Sequence, residues 1–300
     1  MLDEWRQALP GPEATGGEHE MPSRWQVLAA AVAGLGHLEA KPPVPCQDAA
    51  GAVDGPRTVL AVADGAGSSP ASDRGARAVV GATLRLVETL DGQLVELLDT
   101  AAEPAGEALR QFALLLVKHA KGVLHDLAGE HCRPVRDLRC TLSVLILGRE
   151  RLLWLKVGDG AIVVERAVTV DSTADEPAGP QLAPQLTTLG KPGKGEFANQ
   201  TLFIDEGLSP EQVQSGSQAL DRVTGAAVMS DGAAEKLVAS DGGRVSGQLS
   251  HWFDDLRGGR LRQRDLVRLF YGEAFCRGTT GDDRGIALAS RSLEALLAES

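Results

Sequence analysis

Apolar residues along this chain fall into two alternating kinds of run, short β-type stretches and long stretches with helical spacing. From Trp25 the run Trp25 to Ala33 reads as a strand that stops at Gly34-Leu35-Gly36. Further strands are expected over Asp48 to Val53 and Thr58 to Ala63. After Ser68-Ser69-Pro70, Ala76, Val79, Val80, Leu84, Val87 and Leu90 recur at helical spacing, with Ser72 or Asp73 as the cap. A second helix is predicted from about 102 to 128, its apolar stripe running through Leu109, Phe112, Leu116, Val117, Ala120, Leu124 and Leu127.

The second half is mostly β-patterned. Thr141 to Leu147, Leu152 to Val157 and Ala161 to Glu165 are separated by Arg149-Glu150 and Gly158-Asp159-Gly160, which predicts a meander of three strands. Residues 171–200, rich in Pro, Gly, Thr and Lys, read as an exposed loop. Ala226 to Ser230 and Gly285 to Ala289 read as strands, and Ala233 to Val238 and Asp265 to Phe275 as helices. Strands, then two helices, then mostly strands is not the alternation of a parallel sheet. It predicts an α+β layered fold, antiparallel sheets flanked by helices. Residues 1–22 offer turn chemistry and little to bury, so they are expected to form a flexible arm ahead of one domain over 23–295.

Composition narrows the setting. A chain of 300 residues with 43% hydrophobic content can bury a sizeable core. A formal charge of -11 opposes loose adhesion to nucleic acid or anionic membrane, so neither is an expected partner. Four cysteines without a Cys-x-x-Cys pair fit reduced thiols and a cytoplasmic location.

The chemistry lies in acidic residues that close the β-type runs: Cys46-Gln47-Asp48, Asp64-Gly65-Ala66-Gly67, Ser230-Asp231-Gly232 and Asp282-Asp283. Gathered carboxylates repel one another unless a cation sits among them. Asp64 and Asp231 each precede a glycine that lets the backbone turn, and with Asp48 and Asp283 they make an oxygen-rich set for Mg²⁺ or Mn²⁺. Two such ions can polarise a water into hydroxide and neutralise a phosphoryl group under attack. In Gly158-Asp159-Gly160 a hairpin turn accounts for the residues as well as a metal ligand does. His37 is either a loop histidine or a group that binds phosphate or protonates the leaving alkoxide. His125, His131, Cys132 and Cys140 fit no standard zinc spacing, and Arg257, Arg260, Arg262, Arg264 and Arg268 read as a solvated helix face. An aspartate-nucleophile phosphatase is excluded by Val62, two residues before Asp64, and a dinucleotide fingerprint by Glu39.

The order Gln47-Asp48, Asp64-Gly65, Thr141, Gly158-Asp159, Ser230-Asp231-Gly232 and Asp282-Asp283 resembles the type 2C, metal-dependent serine/threonine protein phosphatases over about residues 25 to 290. Gly36-His37 followed by Pro45-Cys46-Gln47-Asp48 resembles a bacterial branch of that family. The resemblance implies a β-sandwich between helical layers with two ions, Mn²⁺ or Mg²⁺, at one end. It implies that Asp64 bridges both, that the Gly65 carbonyl helps bind one, and that Asp231 and Asp283 hold the other, with Asp48 in the inner acidic set. Asp159 and Glu235 match positions that hold a third ion in some members. Three departures stand out: Gln47 replaces the usual Glu, Arg284 stands in the place of an Asn, and the phosphate-binding arginine is not evident, leaving His37 or Lys41 to substitute. The implied activity is hydrolysis of phosphoserine and phosphothreonine in proteins by attack of a metal-bound hydroxide, the partner being a serine/threonine kinase or its target. Two other readings stay open at this point, a catalytically weak regulator that binds a phosphoprotein or kinase, and a hydrolase of a small phosphorylated metabolite.

Overall fold

The computed structural model describes residues 25–100, 102, 104, 106–170, 181–192 and 201–292. The arm expected over residues 1–22 lies outside the described residues. In chain order the elements are β1 (Gln26–Val32), α1 (Leu35–Glu39), β2 (Ala49–Asp54), β3 (Thr58–Ala63), α2 (Ser72–Thr89), α3 (Asp91–Leu98), α4 (Gly106–Glu130), β4 (Leu142–Leu147) and β5 (Arg151–Val157). They continue as β6 (Ala161–Val170), β7 (Gln181–Leu189), β8 (Gln214–Ala219), β9 (Val223–Met229), α5 (Asp231–Leu237), α6 (Gln248–Arg257), α7 (Gln263–Phe270), α8 (Glu273–Cys276) and β10 (Arg284–Ser290).

The strands form two antiparallel five-stranded sheets, ordered β1-β10-β9-β6-β7 and β2-β3-β4-β5-β8. Side chains alternate across a strand, and here both faces of each inner strand are covered. Leu60 and Val62 of β3 and Leu145 and Leu147 of β4 meet Ile162, Val164, Ala226, Val228 and Ala287 of the other sheet. The alternate residues Val59, Ala61, Val144 and Ile146 pack against Val79 of α2 and Phe112, Leu116 and Leu124 of α4. On the far side, Val163, Ala227, Ile286 and Leu288 lie under Leu237, Trp252, Phe253 and Phe270. Double coverage explains why β3, β4, β9 and β10 read as unbroken apolar runs: every residue in them is buried.

Several sequence expectations change. β4 and β5 form a hairpin, but β5 and β6 belong to different sheets, so the chain crosses the sandwich at Gly158-Asp159-Gly160 instead of turning within a meander. That removes the hairpin explanation of Asp159. A strand, β7, occupies part of the expected 171–200 loop, and its pairing along β6 puts Ile162 opposite Leu189. Residues 171–180 and 193–200 of that loop lie outside the described residues. Helices α3 and α6 and strand β8 were not legible, and the helix expected over 265–275 is broken into α7 and α8. The N-cap of α2 is Ala71, while Ser72 lies inside the helix with its hydroxyl donating to the Ser69 carbonyl at 3.1 Å.

Candidate metal centre

Strand register gathers the acidic residues at one end of the sandwich. Ala49 pairs with Ala63, which sets Asp48 beside Asp64 just beyond the paired ends. Ala161 pairs with Met229, which brings Asp159-Gly160 beside Ser230-Asp231. Ile286 also pairs with Met229, and the Ser230 N–H donates to the Gly285 carbonyl at 2.9 Å, so the Asp282-Asp283 segment enters from the other side. Carboxylate oxygens of Asp64, Asp159 and Asp231 lie within 4.8 Å of one another.

The electrostatics are those of an unneutralised anion cluster. Burial, reinforced by Asp48, Asp231, Asp159 and Asp282, pushes the Asp64 carboxyl up to about 10 from its ordinary 3.8. Burial and the charges of Asp159 and Asp282 push Asp231 up to about 6. Asp48 is raised well above the usual range by burial, against an opposing hydrogen bond from Ser230. Asp48 Oδ2 and Asp159 Oδ1 are buried with no hydrogen-bond partner, as oxygens reserved for a cation would be. Hard oxygen donors of this number and spacing fit Mg²⁺ or Mn²⁺ better than zinc.

The support around the cluster is specific. The Asp64 N–H donates to Thr141 Oγ1 at 2.9 Å and the Thr141 N–H to the Asp64 carbonyl at 2.7 Å, so Thr141 positions Asp64 and is not aimed as a nucleophile. A Cβ on Gly65 would sit 2.8 Å from both the Gln47 carbonyl oxygen and Ser72 Cβ. Only glycine lets the 64–65 backbone approach the Gln47 segment this closely. A Cβ on Gly232 would overlap the Asp283 carbonyl oxygen.

The two members of Asp282-Asp283 have different jobs. Asp283, 2% exposed, accepts hydrogen bonds from the Gly34 N–H at 2.7 Å, the Gln47 N–H at 2.6 Å and His37 Nδ1 at 2.8 Å. Its carboxylate thus serves the backbone around α1 while its charge acts on Asp48, and the charge of Asp282 acts on both Asp64 and Asp231. Ligand atoms of His37, Asp282 and Asp283 lie within 4.8 Å of one another, so Asp282 stands beside Asp283 as a candidate for the ligand role expected of Asp283. Gln47 is buried, and its backbone links Asp283 to the Gly65 N–H.

Other candidates sort out as follows. Asp159 Oδ2 accepts from the Thr201 hydroxyl at 2.7 Å, leaving Oδ1 toward the cluster. Glu235 is exposed, and both of its oxygens accept from the Thr280 N–H at 3.1 Å. Arg284, 1% exposed, bonds the Phe270 carbonyl and Thr279 and lies over the Phe275 ring, so it is a packing residue remote in role from the carboxylates. Lys41 is exposed. Among the described residues, His125, His131, Cys132 and Cys140 form no group of metal-ligating side chains. Arg257 is no part of a solvated face, because it pairs with buried Glu165 at 2.7 Å. Sequence reasoning missed Lys156, a buried lysine on β5 next to Asp159; the lysine inside the apolar run Leu152 to Val157 was the available signal.

Comparison with known proteins gives the family and agrees with the fold. Residues 34–268 match the family profile described as protein phosphatase 2C. Serine/threonine-protein phosphatase 3 of Escherichia coli (strain K12) is 27% identical over 278 residues, covering 88% of this chain and 98% of that protein. A solved bacterial serine phosphatase superposes with a TM-score of 0.55 at 13% identity, covering 89% of this chain and 98% of its own. A serine/threonine phosphatase from Staphylococcus aureus superposes with a TM-score of 0.53 at 14% identity, over 92% of this chain and 99% of its own.

Proposed function

This chain belongs to the protein phosphatase 2C family, and from that premise we propose that its strand-end carboxylates form the catalytic centre of a metal-dependent protein serine/threonine phosphatase. The observation that carries the assignment of the site is the meeting of Asp64, Asp159 and Asp231 within 4.8 Å, with buried carboxylate oxygens left unpaired. We assign Asp64 and the Gly65 carbonyl to the centre of the site, Asp231 and Asp282 to one side, and Asp48 to the inner acidic set. Asp159 and Glu235 are the candidates for a third, outer ion. Two ions, Mn²⁺ or Mg²⁺, are proposed. When bound they supply Lewis-acid activation of water and neutralise the charge of the phosphoryl group.

The protein's own groups do the rest. Thr141 and Gly65 hold the Asp64 backbone so that its carboxylate enters the cluster at a fixed angle. Asp283 accepts the Nδ1 proton of His37, which fixes the ring and leaves Nε2 without that partner. His37 Nε2 is the proposed donor of the proton that the departing serine or threonine oxygen takes as its bond to phosphorus breaks. His37 also stands in for the cation that the family resemblance implies and this sequence lacks.

Phosphoproteins are the substrates, and a serine/threonine kinase or its target is the proposed partner. No helix among the described residues is long and apolar enough to cross a membrane. A cytoplasmic location, one domain over 23–295 and an arm over 1–22 are proposed on composition. The family match favours the enzyme over the catalytically weak regulator. The decisive test is release of phosphate from an aryl phosphate and a phosphopeptide with Mn²⁺, against chelator and Asp64→Asn controls. Normal metal binding without any turnover would leave the regulator as the better reading.

A further inference from the structure

Next to the carboxylate cluster lies a cavity of about 240 Å³ between the start of β6, the end of β7 and the segment after α5. Its walls carry Ala161 and Ile162 on β6, Leu189 and Pro192 at the end of β7, and Val238 and Ala239 after α5, with Lys156, Lys191 and Glu235 among the polar residues at its lining. Asp159 and Asp231, two members of the metal cluster, belong to the same lining. The cavity is therefore continuous with the place where a substrate phosphate would be held.

Two polar braces keep the walls apart. Lys156, 2% exposed, donates from Nζ to the Gly160 carbonyl at 3.0 Å and to the Lys191 carbonyl at 2.7 Å, tying the β5–β6 crossover to the end of β7. Thr188 Oγ1 donates to the Gly242 carbonyl at 2.9 Å, tying β7 to the segment after α5. A buried ammonium shared between two carbonyls is costly to arrange and rigid once made, so the cavity is shaped before substrate arrives.

We propose that this cavity is a specificity subsite that receives an aliphatic side chain adjacent to the phosphorylated residue of the substrate protein. The inference rests on the phosphatase reading, since it takes the phosphate to sit at the carboxylate cluster. An extended peptide advances about 3.3–3.6 Å per residue, so a phosphate held beside Asp159 and Asp231 leaves the neighbouring residue at the mouth of the cavity. The apolar part of the walls, Ala161, Ile162, Leu189, Pro192, Val238 and Ala239, selects an aliphatic side chain by burial. Lys156 acts here as a positioning residue for the walls.

The test compares three substrates under saturating Mn²⁺: an aryl phosphate, a phosphothreonine peptide flanked by leucine, and the same peptide flanked by serine. The leucine peptide is expected to show a kcat/KM about tenfold above the serine peptide. Ala239→Phe, which fills the cavity from one wall, is expected to erase that preference while leaving the aryl phosphate and serine peptide unchanged. Ala161→Leu, from the opposite wall, should do the same and guards against a folding defect in the first variant. Equal rates on the two peptides for the unmodified protein, or a parallel loss on all three substrates in both variants with unchanged melting, would overturn the subsite. No hydrolysis of the aryl phosphate would instead overturn the phosphatase reading, and the subsite with it.

Discussion

His37 Nδ1 lies 2.8 Å from Asp283 Oδ1, joining a five-residue helix after the first strand to the residue before the last. The same carboxylate takes the N–H groups of Gly34 and Gln47, so one buried aspartate organises three segments beside the metal cluster. Replacing it by alanine strands buried donors, each costing about 1–3 kcal/mol. Asp283→Ala is expected to lower the melting temperature sharply, whereas His37→Ala should melt normally and lose about 10² in kcat on phosphopeptides. The loss should be smaller on an aryl phosphate, whose leaving group needs no proton. Equal losses on both substrates would remove His37 from proton transfer.

Asp282 and Asp283 can be told apart by metal binding. Asp64→Asn is expected to abolish turnover while the metal-free protein becomes more stable, because a repelled carboxylate is gone. Asp282→Asn should weaken Mn²⁺ binding by at least about tenfold with little change in melting of the metal-free protein. Calorimetric titration of Asp282→Asn with Mn²⁺ checks this, and wild-type affinity would return the ligand role to Asp283.

The carboxyl groups set a pH dependence whose sign follows from their shifts. Asp64 and Asp231 are raised in the folded protein to about 10 and about 6 from an ordinary 3.8, so the folded state binds protons more tightly than the unfolded one. Metal-free stability should therefore fall as pH rises above about 4, with the Asp231 contribution complete near pH 6 and the Asp64 contribution continuing toward pH 10. Metal displaces the same protons, so Mn²⁺ affinity should increase with pH and binding should release protons. Melting of chelator-treated protein at pH 5 and pH 8, with calorimetry in two buffers, reads both effects. A higher melting temperature at pH 8 would contradict the clustered geometry.

Thr141→Val tests positioning apart from ligation. The Asp64 N–H would lose its 2.9 Å acceptor while the shape of the side chain is kept. About tenfold lower kcat at saturating Mn²⁺ is expected, equivalent to about 1.4 kcal/mol of transition-state stabilisation. Unchanged kcat would mean that the Thr141 N–H bond to the Asp64 carbonyl suffices to hold the turn.

Reading the sequence found the elements whose signal is local. Both faces of β3 and β4 are covered, so their apolar runs stand out, and the stripes of α2 and α4 repeat at helical spacing. β8, with Gln214, Ser215, Gly216, Ser217 and Gln218, carries no apolar pattern because it closes a sheet edge and every residue in it keeps some exposure. Asp64-Gly65 and Asp231-Gly232 were visible as turns at strand ends, and their order along the chain carried the family resemblance.

What the amino-acid sequence determined by itself was thus the strands other than β7 and β8, the two long helices and the acidic residues at strand ends, all properties of a residue and its near neighbours. Tertiary structure alone decided two things: that the chain crosses between sheets at Asp159, and that Asp283 turns to His37, Gly34 and Gln47. Two adjacent aspartates are chemically identical in sequence. What Asp283 binds comes from the fold, which brings Gly34, His37 and Gln47 from the start of the chain beside the residue that precedes β10.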